Sequence, residues 1–428
     1  MKKLVIMAFV ISVGFATHAE SGKPMSYVMR QEVKGSCGEE PADGVQIVSS
    51  GFGENPATAC PRLQTIGDKL YASGPDGIMC RAKGEDAKWE QFAMQGVNVL
   101  DFRLSGDDIL AIIVPDEYSD IHGMDLRTVA RLVKGSVSAN SIRDVTPSEM
   151  EYPSQGYVTT DLSAIAQHPT DNNSVMIMGH GGIMLSEDFG ETWEYLTWHN
   201  ATYNPHSFLG WHPQNPEIIF LTSESAFFVS MVWRSTDSGK TWEEFSPEPN
   251  EETSCHYIAF DPDDADHLLV SGEYAVYASY DCGETWETVL DDDAPDPILG
   301  YAYNIMYDST DPDNATVYAV GHLNGWPARN IVRSTDKGIT WRQCLTYEID
   351  EEENFFYDAA LFDGKIWIYD HKDIVYWNIK DDTGIESPAI DNPLPAVYYD
   401  LNGIRLNSKP SSGVVIERNG QSLKLLVL

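Results

Sequence analysis

The chain has 428 residues, of which 28 are basic and 66 are acidic, and its formal net charge is −38 at pH 7. An acidic excess of this size repels nucleic acid and anionic membranes and keeps a protein soluble, so we expect no nucleic-acid partner. With 42% hydrophobic residues, the chain is long enough to bury one large core with a small appendage.

The first 19 residues have the organisation of a secretory signal peptide. Lys2 and Lys3 precede an apolar run at 4–15, and small residues at 16–19 precede a cleavage point. The run is too short to span a bilayer, and no later stretch approaches about 18 apolar residues, so we expect no transmembrane segment. We predict an exported protein whose residues 20–44 lead into the folded part.

Four copies of one eight-residue pattern dominate the middle of the chain. They read S-x-D-x-G-x-T-W, recur at steps of 49, 44 and 55 residues, and occupy residues 186–193, 235–242, 279–286 and 334–341. Glycine suits the positive-φ position of a tight turn, and the aspartate can accept hydrogen bonds from the amides of that turn. We therefore predict a structural role for Asp188, Asp237, Asp281 and Asp336.

The pattern resembles the Asp-box, or BNR, repeat of sialidases, sortilin-type receptors, xyloglucanases and photosystem assembly factors. Upstream of each copy lies a polar turn followed by an apolar strand. Each unit therefore runs strand, polar turn, strand, short loop, strand, Asp-box turn, strand, and these are the four strands of a propeller blade. Degenerate units at 70–89, 97–133 and 355–379 flank the four clear ones. We predict an all-β fold, a β-propeller of about seven four-stranded blades at 45–382, with six or eight blades as alternatives.

The tail at 383–428 differs from the repeats. Its Y-x-L-x-G-x-R element at 399–405 and G-x-x-I-x-x-x-G element at 413–420 resemble the C-terminal domain that addresses proteins to type IX secretion. The resemblance implies a secreted or cell-surface protein with a small C-terminal β module. If this module is not an active sorting signal, the alternative location is the periplasm.

Six cysteines permit up to three disulfides in an exported chain, and the sequence leaves their fifteen pairings open. None has the C-x-x-C spacing of zinc or thioredoxin-like sites. Cys282 lies inside the third Asp box, where we expect it to be exposed. Acidic runs at 291–293 and 350–353 lack a spaced ligand pattern, so we interpret them as solvated loops instead of calcium sites.

A ligand is expected on the propeller face opposite the Asp boxes, where the loops between second and third strands and the blade connections lie. Seven of the eleven histidines fall in these segments: His122, His180, His199, His206, His256, His322 and His371. The longest loops there, at 115–126, 196–209 and 321–330, are predicted to shape the pocket.

Equivalent positions at the ends of the predicted second strands form a ring around the channel mouth. Because histidines and carboxylates act as general acids and bases, we predict as candidate catalytic residues His180, Glu224, Glu273, His322 and His371. Imidazoles also ligate metals, so a divalent cation is the candidate cofactor. Side chains able to stack on sugars or bind polar ligands are Trp198, His199, Tyr203, His206, His256, Tyr274, Tyr301, Tyr303, Trp326 and Arg329. The structural alternative is that these side chains satisfy hydrogen bonds within loops.

Two functions remain open. The first is binding, with or without cleavage, of a glycan; an enzyme would be a glycoside hydrolase using Glu224 and Glu273, or a metal-assisted polysaccharide lyase. A strict sialidase is not expected, because Arg103, Arg143 and Arg329 lack the spacing of a carboxylate-binding triad. The alternative is a non-catalytic module that holds an exported protein or peptide, as the resemblance to sortilin-type and photosystem assembly propellers implies. We expect a monomer in either case.

Overall fold

The computed structural model describes most of the propeller region and the strands of the C-terminal tail. The described residues are 46–48, 62–118, 126–154, 157–179, 182–197, 208–222, 232–247, 254–291, 297–322, 328–348, 356–370, 373–379, 397–399, 405–406, 414–419 and 422–427. They form strands β1 to β34 and short 3-10 turns at Asp116–Tyr118, Leu126–Val129 and Ser148–Met150. No helix in this part of the chain is long and apolar enough to cross a membrane.

Seven four-stranded antiparallel sheets form the blades of a β-propeller, which confirms the predicted fold and blade count. The first three blades are β2 (Leu63–Ile66), β3 (Lys69–Gly74), β4 (Gly77–Ala82), β5 (Glu90–Ala93); β6 (Asn98–Ser105), β7 (Asp108–Val114), β8 (Arg131–Ser136), β9 (Ser141–Asp144); and β12 (Ala164–Gln167), β13 (Val175–Gly179), β14 (Gly182–Ser186), β15 (Glu194–Thr197).

The next three blades follow in chain order. They are β16 (Leu209–Trp211), β17 (Ile219–Thr222), β18 (Val232–Ser235), β19 (Glu243–Glu244); β20 (Cys255–Phe260), β21 (Leu268–Gly272), β22 (Ala275–Ser279), β23 (Glu287–Asp291); and β24 (Tyr301–Tyr307), β25 (Val317–His322), β26 (Ala328–Ser334), β27 (Arg342–Glu348).

The seventh blade closes the ring with strands from both ends of the propeller. It contains β28 (Phe356–Phe362), β29 (Lys365–Asp370), β30 (Asp373–Asn378) and, as its outermost strand, β1 (Gln46–Val48). Strand β1 pairs antiparallel with β30, and β28 contacts β2 of the first blade. The N-terminal strand therefore completes a blade whose other strands lie about 300 residues later.

Among the described residues, two small sheets lie outside the seven blades. The hairpin of β10 (Tyr152–Ser154) and β11 (Tyr157–Thr159) occurs between the second and third blades. In the tail, β31 (Val397–Tyr399), β32 (Arg405–Leu406), β33 (Val414–Asn419) and β34 (Ser422–Val427) form an antiparallel sheet in the order β32-β31-β33-β34. Its role in type IX secretion stays a prediction.

The apolar core lies between neighbouring blades. The second strand β13, for example, is buried along its whole length, because its sheet packs on a blade at either side. Leu110 and Ile112 of the second blade, for example, pack with Ile165 and Ile177 of the third. At about 25 cal/mol per Å² of apolar surface, this burial supplies most of the favourable folding energy.

The four Asp-box turns share one set of hydrogen bonds and join third to fourth strands, as predicted. In the second box, Asp237 accepts bonds from the Thr241 amide (2.8 Å) and hydroxyl (2.7 Å). The Ser235 hydroxyl donates to the same carboxylate at 2.9 Å and accepts from the Gly239 amide at 2.8 Å. The hydrogen bonds from Thr241 and Ser235 lower the pKa of Asp237 to about 2. The aspartates therefore brace the turns.

The residue before each box glycine also has positive φ, and in the first and third boxes its side chain is buried. Cys282 (φ 56°) precedes Gly283 (φ 85°), and its side chain packs in the cluster that contains Phe220 and Leu268. The prediction that Cys282 is exposed is therefore wrong, because the turn directs this side chain between blades. Cys80, Cys255 and Cys282 are buried thiols, and Cys344 is disulfide-bonded.

A buried ionic network joins the fifth and sixth blades beside the fourth box. Asp261, which is fully buried, lies 2.8 Å from Lys337 Nζ of that box and 2.9 Å from His267 Nδ1. The Tyr307 hydroxyl of β24 lies 3.2 Å from the same imidazole nitrogen. Burial acts to raise the pKa of Asp261, but hydrogen bonds from Lys337 and His267 outweigh it and hold that pKa below its ordinary value.

Replacing Lys337 by Met should destabilise the propeller by about 3 kcal/mol near pH 7, because it leaves a buried carboxylate without its cation. Because the folded-state pKa of Asp261 is lowered, this contribution is present above about pH 4 and is lost as the pH falls below it. Urea unfolding of Lys337→Met and of Lys240→Met, which alters an exposed lysine of the second box, measures the difference. Equal stability of the two variants would contradict the network's role.

Candidate functional site

The direction of the strands divides the propeller into two faces. The box turns and the turns between first and second strands lie at one edge of every sheet, here called the rear face. First strands begin and second strands end at the opposite edge, here called the front face. His168, His212 and His267 belong to rear turns, whereas His256 and His322 lie at the front ends of β20 and β25.

Five predicted ligand-site residues converge at the front of the fifth and sixth blades, and we call them the ring cluster: His256, Tyr301, Tyr303, His322 and Arg329. The His322 ring stacks on Tyr301, with centroids 5.1 Å apart and planes at 12°. His256 lies 4.9 Å from Tyr301 and 5.8 Å from Tyr303. The Arg329 guanidinium is fully buried 5.4 Å from the Tyr303 centroid, which is cation–π geometry.

Bulges in two innermost strands bring this cluster together. The register of β20 skips His256, and that of β24 skips Tyr303. A bulge gives one strand an extra residue and re-aims the side chains beside it. Both skipped residues contact the Tyr301 ring and each other, so the bulges aim side chains of adjacent blades at a common point.

A glycine lies near the front end of the second strand beside the cluster because the neighbouring backbone comes close there. A Cβ on Gly321 would lie 1.7 Å from the Tyr301 carbonyl oxygen, so no other residue fits without backbone movement. The same holds for Gly272, whose Cβ would meet the Ser254 carbonyl oxygen at 2.8 Å. The glycines that precede Glu273 and His322 in the sequence thus mark close packing of first and second strands.

Glu273 and Tyr274 connect the fifth blade to the cluster. Glu273 forms a bridge with Tyr301, and the Tyr274 amide donates to the Gly300 carbonyl at 2.7 Å. The Tyr274 side chain is 47% exposed, in contrast to the buried imidazoles. The cluster therefore has buried imidazole and guanidinium groups and one exposed aromatic at its edge.

The remaining predicted site residues lie outside the described residues: His180, Glu224, His371, Trp198, His199, Tyr203, His206 and Trp326. Most of the three predicted pocket loops also lies outside them. Within the described ranges, no three His, Cys, Asp or Glu side chains converge to hold a metal ion. The three arginines weighed as a carboxylate-binding triad are dispersed. Arg143 pairs with Glu191 of the first Asp box, Arg329 lies in the ring cluster, and Arg103 lines the central channel.

The central channel contains a cavity of about 110 Å³ lined by innermost strands of six blades. Its charged lining residues are Arg62, Asp101, Arg103 and Asp358, and the Tyr257 side chain also faces it. His256 and Tyr257 are consecutive, so β20 contributes one side chain to the ring cluster and the next to the cavity.

The two channel carboxylates bond the backbone of neighbouring blades. Asp101 Oδ2 accepts from the Ile165 amide of the third blade at 3.2 Å, and Asp358 Oδ2 accepts from the Leu63 amide of the first at 3.0 Å. Asp358 Oδ1 also accepts from Asn304 Nδ2 at 2.9 Å. Burial raises the pKa of Asp358 to about 6, although the nearby Arg62 and two backbone amides act to lower it.

These channel residues were not predicted as a site. Their signal in the sequence is an aspartate next to apolar residues inside a strand, as in β6 (Asn98–Ser105) and β28 (Phe356–Phe362). A charged residue in such a strand is costly to bury unless it is paired or hydrogen-bonded, so it marks a special position.

Comparison with known proteins shows that the chain is similar to other β-propellers in fold. A family model described as Sortilin-Vps10 (sortilin, neurotensin receptor 3) matches residues 230–378. No curated protein matches the sequence.

Three solved structures have a similar fold. A GH74 xyloglucanase from Xanthomonas campestris is 12% identical with a TM-score of 0.54, over 79% of this chain and 54% of that one. The GH74 enzyme of Niastella koreensis is 13% identical with a TM-score of 0.54, over 87% and 58%. YCF48 bound to D1 peptide is 16% identical with a TM-score of 0.50, over 77% and 96%. The chain thus spans little more than half of either GH74 enzyme.

Asp358 should make stability depend on pH. Its folded-state pKa of about 6 exceeds the unfolded value of about 4, so its stabilising effect is complete below pH 4 and is lost as the pH rises through 6. Between pH 4 and pH 7, wild type should lose roughly 2 kcal/mol more unfolding free energy than Asp358→Asn. Urea titrations at pH 4 and pH 7 measure the change in unfolding free energy of each protein. Equal changes in wild type and Asp358→Asn would refute the raised pKa of Asp358.

Proposed function

We propose that this protein is an exported, non-catalytic binding module that holds a segment of another exported protein on its front face, at the ring cluster. The supporting observation is that the cluster's ionisable groups are packed against one another. His256 and His322 are 2% and 4% exposed and lie against tyrosine rings. An acid–base catalyst must reach the proton that it transfers, whereas a packed aromatic cluster is typical of a binding surface.

The exposed edge of the cluster indicates the chemistry of the partner. Tyr274 offers an aromatic face, and Glu273 beside it adds a carboxylate to a protein whose formal charge is −38. Electrostatic complementarity favours a cationic partner, both at the contact and during diffusional encounter. A basic segment with apolar or aromatic side chains would fit this edge best.

The comparisons are compatible with this proposal. YCF48 was solved with a D1 peptide, and this chain spans 96% of it, whereas it spans 54% of the Xanthomonas campestris xyloglucanase. At these sequence identities the fold is what is shared, so the proposal depends on the residues of this chain.

Glycan binding is the second candidate, and the exposed ring of Tyr274 beside the partly buried Tyr301 favours it. Aromatic faces stack on sugar rings, and the fold is shared with two GH74 enzymes. If the glycan is also cleaved, Glu273 and Glu224 are the carboxylates to test first, and bound metal in the purified protein would point to a lyase instead.

An array of basic, acidic and neutral peptides together with glycans, probed with the chain from residue 20 onward, separates the two candidates. We expect binding to basic peptides, unaffected by chelator and without turnover of any glycan. Glycan binding without peptide binding would replace the first candidate with the second. Glycan turnover that is lost in Glu273→Ala would establish an enzyme.

Tyr274→Ala should weaken binding of the array ligand at least tenfold, because truncating an interface aromatic typically costs more than about 1.4 kcal/mol. Tyr195→Ala is the matched control, since Tyr195 is 46% exposed on the outer strand β15 of another blade. Calorimetric titration of the two variants measures the effect. An equal loss in both, or no loss in Tyr274→Ala, would move the site away from the ring cluster.

A further inference from the structure

The channel cavity has an imbalance between hydrogen-bond donors and acceptors. Its acceptors are the carboxylates of Asp101 and Asp358, which already bond protein donors. Asp101 Oδ1 accepts from the Phe102 amide (2.8 Å), Arg103 Nη1 (2.6 Å) and Gln64 Nε2 (3.1 Å), and its Oδ2 accepts from the Ile165 amide. Asp358 accepts from Leu63, Ala359 and Asn304.

One of the donors, Arg103, is not fully engaged. Among the described residues, Arg103 uses Nη1 for Asp101 and the Phe102 carbonyl, and Nη2 for the Ile165 carbonyl. A guanidinium has five N–H groups, so its Nε–H and second Nη2–H remain available to a ligand or to water. Arg62 and Tyr257 line the same cavity. Burial and the neighbouring Asp358 raise the pKa of Tyr257, so its hydroxyl stays a donor at neutral pH.

The size of the cavity limits the occupant. At about 110 Å³, it is large enough for a few water molecules or one small functional group, but not for a sugar ring or a peptide backbone. It lies towards the front face, because Leu63, Ile165 and Leu209 pair with second-strand residues within two positions of the front end. A group that enters from the front would therefore reach it.

We propose that the central channel is a binding site for a single carboxylate, held by Arg62, Arg103 and the Tyr257 hydroxyl. A carboxylate supplies the acceptors that the cavity lacks and matches the planar, forked donors of a guanidinium. The carboxylate comes either from a free small acid or from a peptide. This proposal is independent of the ring cluster, since it concerns other side chains and a probe without aromatic or cationic groups.

The site should take up a proton when it binds an anion. Asp358 faces Arg62, which precedes β2, Asp101 and Arg103 from β6, Tyr257 from β20 and Asn304 from β24. With both carboxylates ionised, the four charged lining groups sum to zero. Protonation of Asp358 would leave one net positive charge, so a carboxylate ligand should bind more tightly at pH 5.5 than at pH 7.5.

Acetate is the probe, titrated against the chain from residue 20 onward at constant ionic strength with chloride as the reference anion. Saturable binding detected by ligand-observed NMR is expected for acetate and should be tighter at pH 5.5. Arg62→Gln should weaken it about tenfold or more, Tyr257→Phe should weaken it less, and Arg143→Gln, which alters a surface arginine, should leave it unchanged. Acetate that binds no better than chloride in wild type would overturn the proposal, even if Arg62→Gln fails to fold.

Two further arms identify the source of the carboxylate. A short peptide with a free C-terminal carboxylate and its C-terminal amide, both without acidic side chains, are competed against acetate. Displacement by the free acid alone indicates a peptide terminus, and displacement by neither indicates a free small acid. Equal displacement by both would show that the carboxylate is not what is recognised and would contradict the proposal. If Arg62→Gln still binds basic peptides on the array, the front-face proposal remains intact.

Discussion

The innermost strand of every blade has a hydrogen-bonded neighbour on one side only. Its other edge faces the channel, where backbone amides and carbonyls must find partners or remain costly. Here polar side chains of one blade form hydrogen bonds with the backbone of the next. Asp358 accepts from the Leu63 amide, Asp101 accepts from the Ile165 amide, and Gln64 donates to the Phe102 carbonyl at 3.0 Å. The polar and charged side chains of the channel therefore satisfy backbone groups at the open edges of the innermost strands, and they also link neighbouring blades.

The same strand irregularities shape both the channel and the front face. In β20 and β24 a bulge skips His256 and Tyr303, which join the ring cluster, and the next residues, Tyr257 and Asn304, serve the channel. In β6 and β28 the residues after the bulge are Asp101 and Asp358. Because a bulge shifts the alternation of side chains by one residue, it can direct consecutive residues to two different sites. The two candidate sites are thus consequences of one backbone feature.

The sequence predicted the architecture well because the Asp-box turn is a local structure. Its serine, aspartate, glycine and threonine hydrogen-bond one another within eight residues, so the pattern is visible without knowledge of the fold. The glycines before Glu273 and His322 lie at equivalent positions of β21 and β25. The grouping of His256, Tyr301, Tyr303, His322 and Arg329 was partly predictable from the assignment of loops to one face.

Long-range features were not predictable in this way. The bulges depend on pairing between strands, and no local pattern indicates the residue at which the register shifts. The inward side chain of Cys282 depends on a positive φ shared with the adjacent glycine. The partners of Asp358 come from residues 54 and 295 positions away. Spacing along a single strand cannot reveal a site that is assembled from six blades.

Hydrogen–deuterium exchange, with and without the ligand found on the array, tests the division of the propeller into a binding face and a braced face most directly. We expect the ligand to protect amides at 254–257, 272–275 and 297–303, with unchanged exchange in the box turns at 186–193, 235–242, 279–286 and 334–341. Protection confined to the box turns, with none at the front ends of β20, β21 and β24, would contradict it.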